Sequence, residues 1–484
     1  MITGNLNEKS YILEPMHNLS EDRGSSIDSN ENAFDDMKQL ISEEENEKTN
    51  TLPYASFNFI NSIIGSGVIG IPYALHEAGF GFGLFLLVVV AYITDYSLIL
   101  MVRSGHICGK FSYQGIMEAA FGKPGYFLLS SLQFVYPFVA MVSYNIVVGD
   151  TVTKVIGRLL GVDVNRELVV LIATLFVTIP LCLYRDVARL AKISFLSLIC
   201  IAFILFSIFL RIGPMSDIVP QHPDSWRFIN KDIIPAIGIM AFAFMCHHNT
   251  FLIYGSIADP TQKKMGNHHS RLNSDKPHSR RSFRHSGIHH IQSPLPRYLK
   301  ILPRCSDLLE NYCLDDDLMN VSRLLFSVQI LLTYPIECFV TREVIENSVF
   351  GRDPNVPLSE KMHYLLTLGI VATAYTISIT TECLGLVLEL NGVLAAVPLA
   401  YVLPALCYLR LDEGFILCRH KLPALGVVLF GLVVAVLGAV FIILDFEKVH
   451  TCSHGEVMGY CLSGNETVTV VNVTKHFIST ISPI

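Results

Sequence analysis

Charged residues are scarce in this chain: they make up only 16% of its 484 residues, whereas 51% are hydrophobic. An ordinary soluble domain is about 25% charged, so a chain of two or three soluble domains is excluded. The charges lie mostly in tails and loops, and they leave windows of about 20 residues with almost none, the length that a helix needs to cross a bilayer. The net charge of −7 belongs to these soluble edges, and nothing indicates a nucleic-acid partner.

Three other patterns are missing. Alternating segments of about ten residues, typical of a membrane β-barrel, are not visible. The twelve cysteines include no CxxC pair and no Cys/His spacing of a zinc site, so we predict no cofactor and no structural metal. The acidic first 50 residues contain no basic region followed by an apolar stretch. A cleaved signal peptide is therefore not expected, and the first apolar run, which begins near Tyr54, should direct membrane insertion.

Long apolar runs are what the sequence has in abundance. Ten of them are long enough to cross a bilayer as helices, in which every backbone polar group has an internal partner. They cover approximately residues 54–75, 82–102, 127–148, 168–184, 193–211, 233–254, 323–341, 363–386, 390–409 and 424–444. The predicted fold class is an all-α, multi-pass membrane protein that is embedded in the lipid bilayer.

Lys and Arg residues in short loops predict which loops are cytosolic. Residues 342–361 and 410–421 are rich in them, so both loops should be cytosolic, whereas the loops of the first half give a tie. The C-terminal tail is then extracytosolic, and it carries two glycosylation sequons, at Asn465 and Asn472. Cys452 and Cys461 flank a polar segment of this tail, so a disulfide between them is predicted on equal terms with two unpaired thiols.

One crossing is missing from this count. Residues 266–300 contain seven Lys/Arg, six His and one Asp, which is typical of a solvated, low-complexity, cytosolic segment. The span that follows must nevertheless begin outside. An even number of spans, such as ten, leaves both termini on the same side of the membrane, whereas a cytosolic N-terminus and an extracytosolic tail require an odd number. We predict five parts: a disordered acidic cytosolic tail (1–51), six spans (52–262), the basic His-rich segment (263–306), the remaining spans (307–446) and an extracytosolic tail (447–484).

The strongest local signal is the stretch Asn61–Pro72 within the first span. Three glycines and a proline within eight residues make a continuous helix costly there. Unwound backbone at membrane depth persists only where it lines a cavity, and its freed carbonyls and amides can hold a cation and a carboxylate. The alternative is that the glycines only allow close helix packing. Asn61 and Ser66 supply further oxygens and favour the interrupted helix.

Residues 233–254 predict a second interrupted span. They contain Pro235, Gly238 and the polar cluster 246–250, which is expensive in lipid unless its members face a cavity or one another. His247 or His248 could bind protons, because imidazole titrates near neutral pH. The alternative is a histidine that is hydrogen-bonded in the core and has no role in coupling.

Polar residues of later spans are weaker candidates. Thr333, two residues before Pro335, could offer a hard oxygen ligand to a small cation, or it could bond back to its own helix. The acids Asp95 and Glu382 are expected near a wetted interface. Glu337 is a functional candidate, and the alternative is that it pairs with Arg342.

At Asn61–Pro72 and Thr333–Pro335 the sequence resembles the sodium-coupled neutral amino acid transporters of solute carrier family 38. The likeness runs through most of residues 52–262 and 308–462, with further support at Ala243–Phe251 and Leu388–Gly392. It implies the amino acid/polyamine/organocation transporter fold, also called LeuT-like, in which two inverted five-helix repeats rock around a site between interrupted helices one and six. Eleven spans are implied.

The resemblance also implies the roles of individual residues. The sodium ligands map to Asn61, Ile64 and Thr333. The contacts to a small neutral amino acid map to Gly65, Ser66, Gly67, Phe244 and His247. Sodium is the implied coupling ion, and proton exchange accompanies it in some members of the family. The implied location is the plasma membrane or an endolysosomal membrane, with a cytosolic N-terminus and an extracytosolic C-terminus.

The chain departs from the family where helix seven should lie, because residues 266–300 are basic instead of apolar. This is the same gap as the missing crossing. It leaves open an inactive form that lacks helix seven. A membrane amino acid sensor that signals through its N-terminal tail is the alternative of a different class. An intramembrane enzyme is not expected, because the sequence contains no paired catalytic acids or nucleophile motif.

Overall fold

The computed structural model describes residues 67–184, 187–218, 228–248, 250–251, 307–349, 359–381 and 383–444, together with residue 461. Several predicted features lie outside these residues. They are the tail 1–51, the residues up to Ser66 (among them Asn61, Ile64 and Gly65), the whole basic segment 263–306, Glu382, Cys452 and both sequon residues, Asn465 and Asn472.

The described residues form helices and no strands. In chain order these are α1 (Gly67–Ala78), α2 (Phe80–Cys108), α3 (Tyr113–Leu160), α4 (Arg166–Ala173), α5 (Ile179–Cys182), α6 (Val187–Ile218), α7 (Ile233–Ala243), α8 (Asp317–Val349), α9 (Glu360–Thr380), α10 (Leu384–Asn391), α11 (Leu403–Leu411) and α12 (Leu422–Leu444). π-Helical turns join α4 to α5 (π1, Thr174–Thr178) and α10 to α11 (π2, Gly392–Ala396, and π3, Pro398–Val402), and a 3₁₀ turn covers Leu308–Asn311.

Six helical stretches of the described part are long and apolar enough to cross a membrane: α2, α3, α8, α9, α12 and the continuous run Leu384–Leu411. Two shorter apolar helices are Leu196–Arg211, within α6, and α7. The predicted all-α, multi-pass fold class is thus confirmed.

Helix boundaries follow local chemistry more closely than hydropathy. The sequence predicted a gap at residues 387–389, between the spans 363–386 and 390–409. In the structure the gap lies at residues 381–383, where Thr381 and Cys383 have extended backbones beside a run of polar residues. The run 127–148 extends into a helix of 48 residues that is capped by Ser112, whose hydroxyl accepts the Gly115 N–H. This helix is kinked at Gly122, where a φ of 68° suits a residue without a side chain.

The loop 307–316 lies at one end of the helix bundle, where four contacts hold it. Lys154 of α3 pairs with Glu310 at 2.7 Å. Arg211 of α6 pairs with Asp316, and the buried Arg323 of α8 donates to the carbonyls of residues 309 and 312. The fourth contact is a disulfide from this loop to the C-terminal tail. We call this end of the bundle, where the last residue of α3 (Leu160), Asp316 of the loop and Cys461 of the tail lie, the disulfide end.

That disulfide joins Cys313 to Cys461, with their Cα atoms 5.4 Å apart. The predicted pairing of Cys452 with Cys461 is therefore wrong. Cys461 finds its partner 148 residues away in sequence, because the fold brings the loop 307–316 and the tail to the same end. Cys383, which follows α9 at this end, is also disulfide-bonded. The described cysteines other than these three are free, so its partner lies outside the described residues.

The two sides of the undescribed stretch 252–306 lie at opposite ends of the bundle. Phe251 packs near Gly105 in the last turn of α2, at the end away from the disulfide: a Cβ on Gly105 would be 3.5 Å from its ring. The 3₁₀ turn Leu308–Asn311 is at the disulfide end. Phe251 and Leu308 therefore lie at opposite ends of the described bundle.

Candidate functional site

The site is built where α1 and α7 touch. A Cβ on Gly67, at the first described residue of α1, would lie 2.5 Å from the Cα of Ala243, the last residue of α7. One turn later, a Cβ on Gly70 would lie 3.0 Å from side-chain atoms of both Ile239 and Leu388. The two helices therefore pack backbone against backbone, and the N-terminal part of α1 lies beside the C-terminus of α7.

The predicted interruption of the span 233–254 is confirmed. α7 ends at Ala243, Phe244 has a φ of −93° and a ψ of 2°, and the helix resumes at His247. Within the interruption the Met245 N–H donates to the Phe242 carbonyl at 3.2 Å, which tightens the helix end. Thr250 bonds back to the carbonyl of residue 246 and helps to start the next turn.

Pro235 and Gly238 do not cause the interruption. Pro235 lies in the first turn of α7, where its missing N–H costs no helical hydrogen bond. Gly238 instead allows a close approach to π2, because its Cβ would lie 2.7 Å from Val393. On the other side of the same contact, a Cβ on Gly392 would overlap the Gly238 carbonyl.

The two histidines after the interruption have different surroundings. His247 is fully buried, and neither ring nitrogen has a hydrogen-bond partner among the described residues. His248 points to α8, with its Nε2 3.7 Å from Oε2 of Glu337. Its ring also contacts Tyr136 of α3, with centroids 5.0 Å apart.

Glu337 is buried within α8, and its partner is His248, so the alternative pairing with Arg342 is wrong. Arg342 lies 3.6 Å from Glu346, one turn further along. It also donates to the carbonyl of residue 182 and to the hydroxyl of residue 367. A spacing of five residues carries the Arg342 side chain to a different side of α8 from Glu337.

Thr333 is buried one turn before Glu337. Its hydroxyl donates to the Gln329 carbonyl at 2.9 Å and can accept from the Gln329 side-chain amide at 3.3 Å. The helix thus uses the hydroxyl proton, while the oxygen retains a lone pair. The other predicted sodium ligands, Asn61 and Ile64, lie outside the described residues, and the sodium site remains a prediction.

The predicted substrate contacts are only partly described. Phe244 and His247 lie in and just after the interruption, and Gly67 faces the end of α7, so the fold brings these three into one region. Gly65 and Ser66 lie outside the described residues. Their roles as substrate contacts remain predictions.

Tyr136 is a residue of this region that the sequence did not reveal. Its hydroxyl donates to the Phe242 carbonyl, 3.3 Å away, in the last turn of α7. Its own carbonyl accepts from the Asn391 side chain at 3.0 Å. Tyr136 therefore links α3, α7 and α10 around the interruption. A single tyrosine within an apolar helix carries no motif that would have indicated this.

Comparison with known proteins adds independent information. The chain matches the family model described as transmembrane amino acid transporter protein over residues 48–270 and 306–444. It is 40% identical over 463 residues to a Bos taurus protein named "Putative sodium-coupled neutral amino acid transporter 11", which covers 92% of this chain and 94% of the relative. A Rattus norvegicus protein of the same name is 42% identical, covering 90% and 94%. The Saccharomyces cerevisiae "Vacuolar amino acid transporter 2" is 28% identical, covering 83% and 85%.

These names are those of transporters, in agreement with the expectation that the chain is not an enzyme. The family match is interrupted between residues 270 and 306. That interval falls within the basic segment 263–306, where the sequence departs from the apolar helix expected by resemblance.

Proposed function

Because the chain belongs to the transmembrane amino acid transporter family, we propose that it carries small neutral amino acids across a membrane together with sodium ions. The observation that carries this proposal is the interruption of α7 at residues 244–246, in backbone contact with α1. Non-helical backbone at membrane depth is tolerated only where it lines a cavity or is buried in protein. Its peptide groups are available to a substrate that carries an ammonium and a carboxylate.

The proposed roles follow from the contact between Gly67 and the end of α7. The amides at the start of α1, around Gly65, Ser66 and Gly67, would receive the substrate carboxylate, because a helix N-terminus favours negative charge. Phe244 and His247 would border the substrate side chain. Sodium would be held by oxygens of Asn61, Ile64 and Thr333, the hard ligands that such a cation prefers.

The orientation proposed is that the disulfide end faces away from the cytosol. Disulfides persist in oxidising compartments, and the Cys313–Cys461 bond lies at this end. The sequons at Asn465 and Asn472 follow Cys461 directly in sequence. The N-terminus would then be cytosolic, and the plasma membrane or an endolysosomal membrane would house the protein.

Uptake into proteoliposomes tests the function. The purified full chain is reconstituted, and uptake of radiolabelled alanine is measured with an inward sodium gradient and with choline in place of sodium. We expect accumulation that requires sodium. Folded protein that shows no sodium-dependent uptake of alanine or of other small neutral amino acids would overturn the proposal. Amino-acid-dependent capture of a cytosolic partner by the N-terminal tail would then favour a sensor.

A further inference from the structure

Two ionisable side chains from different elements face each other inside the bundle. His248 belongs to the turn after the α7 interruption, and Glu337 belongs to the continuous helix α8. Their side chains are 1% and 6% exposed, with 3.7 Å between Nε2 and Oε2. The pair therefore bridges an interrupted helix and an unbroken one, and it is shielded from water in this conformation.

The surroundings of the pair are mostly uncharged. Uncharged side chains from three segments lie around it: His247 and Cys246 beside His248, Tyr136 and Tyr144 on α3, and Tyr334 and Cys338 on α8. The acid Asp95 on α2 lies close enough to Cys246 to interact with it electrostatically. Arg342 is engaged by Glu346. Among the described side chains, the group that can balance a Glu337 carboxylate at ion-pair distance is His248.

Charge balance sets how many protons such a pair holds. With one proton it is neutral overall, whether the proton is on the imidazole or on the carboxyl group. With none it carries a net negative charge, and with two a net positive charge. A net charge in a water-shielded core is strongly disfavoured. The closed conformation therefore retains one proton on the two groups together.

We propose that His248 and Glu337 bind a proton that this transporter exchanges for sodium during its cycle, an inference that rests on the proposed function. Thr333 and Glu337 are four residues apart, so they lie on the same face of α8. A sodium ion held at Thr333 would supply the positive charge that the Glu337 carboxylate needs. The proton then passes from the pair to water when the segment 247–251 separates from α8.

The step requires no other reactant. One N–H or O–H bond breaks as the proton moves to water, and sodium enters with the charge that the proton leaves behind. When sodium departs on the other side, the pair takes a proton back from that solution. Sodium and the proton thus move in opposite directions, because each ion stabilises a different state of the same carboxylate.

The first experiment measures proton movement and transport in the same vesicles. Proteoliposomes that contain the full chain and a trapped pH dye receive alanine and an inward sodium gradient. For Glu337→Gln and His248→Gln we expect proton movement to fall about tenfold or more, while alanine/alanine exchange with equal and saturating sodium on both sides persists. Glu346→Gln and His363→Gln, which change equally buried groups elsewhere, should leave both measurements unchanged.

A second experiment does not depend on transport. Sodium chloride is added to purified protein in weakly buffered detergent solution, and release of about one proton per molecule is expected from the wild type and none from Glu337→Gln. If Glu337→Gln fails to fold, Glu337→Asp keeps a carboxyl group and should retain release with a shifted pH dependence. Proton movement and proton release that survive in both glutamine variants would overturn the assignment. Sodium-dependent alanine uptake by the wild type without any proton movement would do the same and would leave the proposed function intact.

Discussion

Gly67 and Ala243 touch backbone to backbone: a Cβ on the glycine would lie 2.5 Å from the Cα of the alanine. The two residues are 176 positions apart in sequence, and they bring the first and sixth predicted spans together at the candidate site. No side chain fits between them. The contact therefore fixes how closely the described part of α1 can approach the end of α7.

This contact predicts a sharp penalty for one methyl group. Gly67→Ala should lower the free energy of unfolding by about 1–3 kcal/mol, because the new Cβ overlaps backbone atoms that cannot rotate away. Thermal denaturation of the detergent-solubilised protein measures it. Gly369→Ala is the matched control. It makes the same substitution within helix α9, at a position where the new Cβ has no atom within 4 Å. Equal midpoints for the two variants would contradict the close contact.

Thr333 should be distinguishable from a structural threonine of the same helix. Thr333→Ala is expected to raise the sodium concentration for half-maximal alanine uptake about tenfold, because it removes one hard oxygen from the proposed ion site. Thr341→Ala loses an equivalent bond, from its hydroxyl to the carbonyl four residues earlier, and it should leave the sodium requirement unchanged. The same shift in both variants would mean that Thr333 acts only within its helix.

The disulfide of the loop 307–316 can be mapped directly. Proteolysis under non-reducing conditions, followed by mass spectrometry, should yield a peptide that joins Cys313 to Cys461. Cys313→Ser should lower stability by about 2–4 kcal/mol, since the bond closes a long stretch of chain. Cys418→Ser, which changes a free and partly buried cysteine at the opposite end, serves as the control. A linked peptide that contains Cys452 and Cys461 instead would contradict the observed pairing.

Asp307 predicts a pH dependence at the disulfide end. Its Oδ1 accepts the Leu309 N–H at 2.8 Å, while burial and then the nearby Glu310 charge raise the pKa of its carboxyl to about 7. The folded state therefore binds this proton more tightly than the unfolded chain, whose pKa is 3.8. The stabilisation is fully present below that value and is lost as the pH rises to about 7.

Thermal midpoints between pH 4 and pH 8 measure this effect. The wild type should lose stability over that range, and Asp307→Asn, which carries no titrating proton, should lose less. Asp163→Asn, at an exposed position, provides the comparison. A wild-type profile that coincides with that of Asp307→Asn would remove Asp307 from the account.

Much of the fold could be predicted from the sequence, because lipid allows few structures. Apolar runs locate the helices, and the polar residues 246–250 indicate that the sixth span is interrupted, although the gap at residues 244–246 precedes most of them. Hydropathy nevertheless misplaced the division between α9 and α10, since Leu384–Leu390 is apolar enough to belong to either neighbour. The pairing of His248 with Glu337 could not be predicted, because spacing reveals partners on the same helix and these two lie on different helices. The disulfide was missed for the same reason: Cys313 joins Cys461 only through the three-dimensional approach of loop and tail.

The contact between Gly238 and Gly392 has a consequence for motion. Because neither glycine has a side chain, the backbones of α7 and π2 touch directly, and the Val393 side chain packs against Gly238, so the two elements are held tightly together. Whatever tilts α7 must carry π2 along with it. The hinge of this part of the molecule is then the three-residue gap after Ala243. A spectroscopic label on π2 would report the angle of α7 as well as a label on α7 itself.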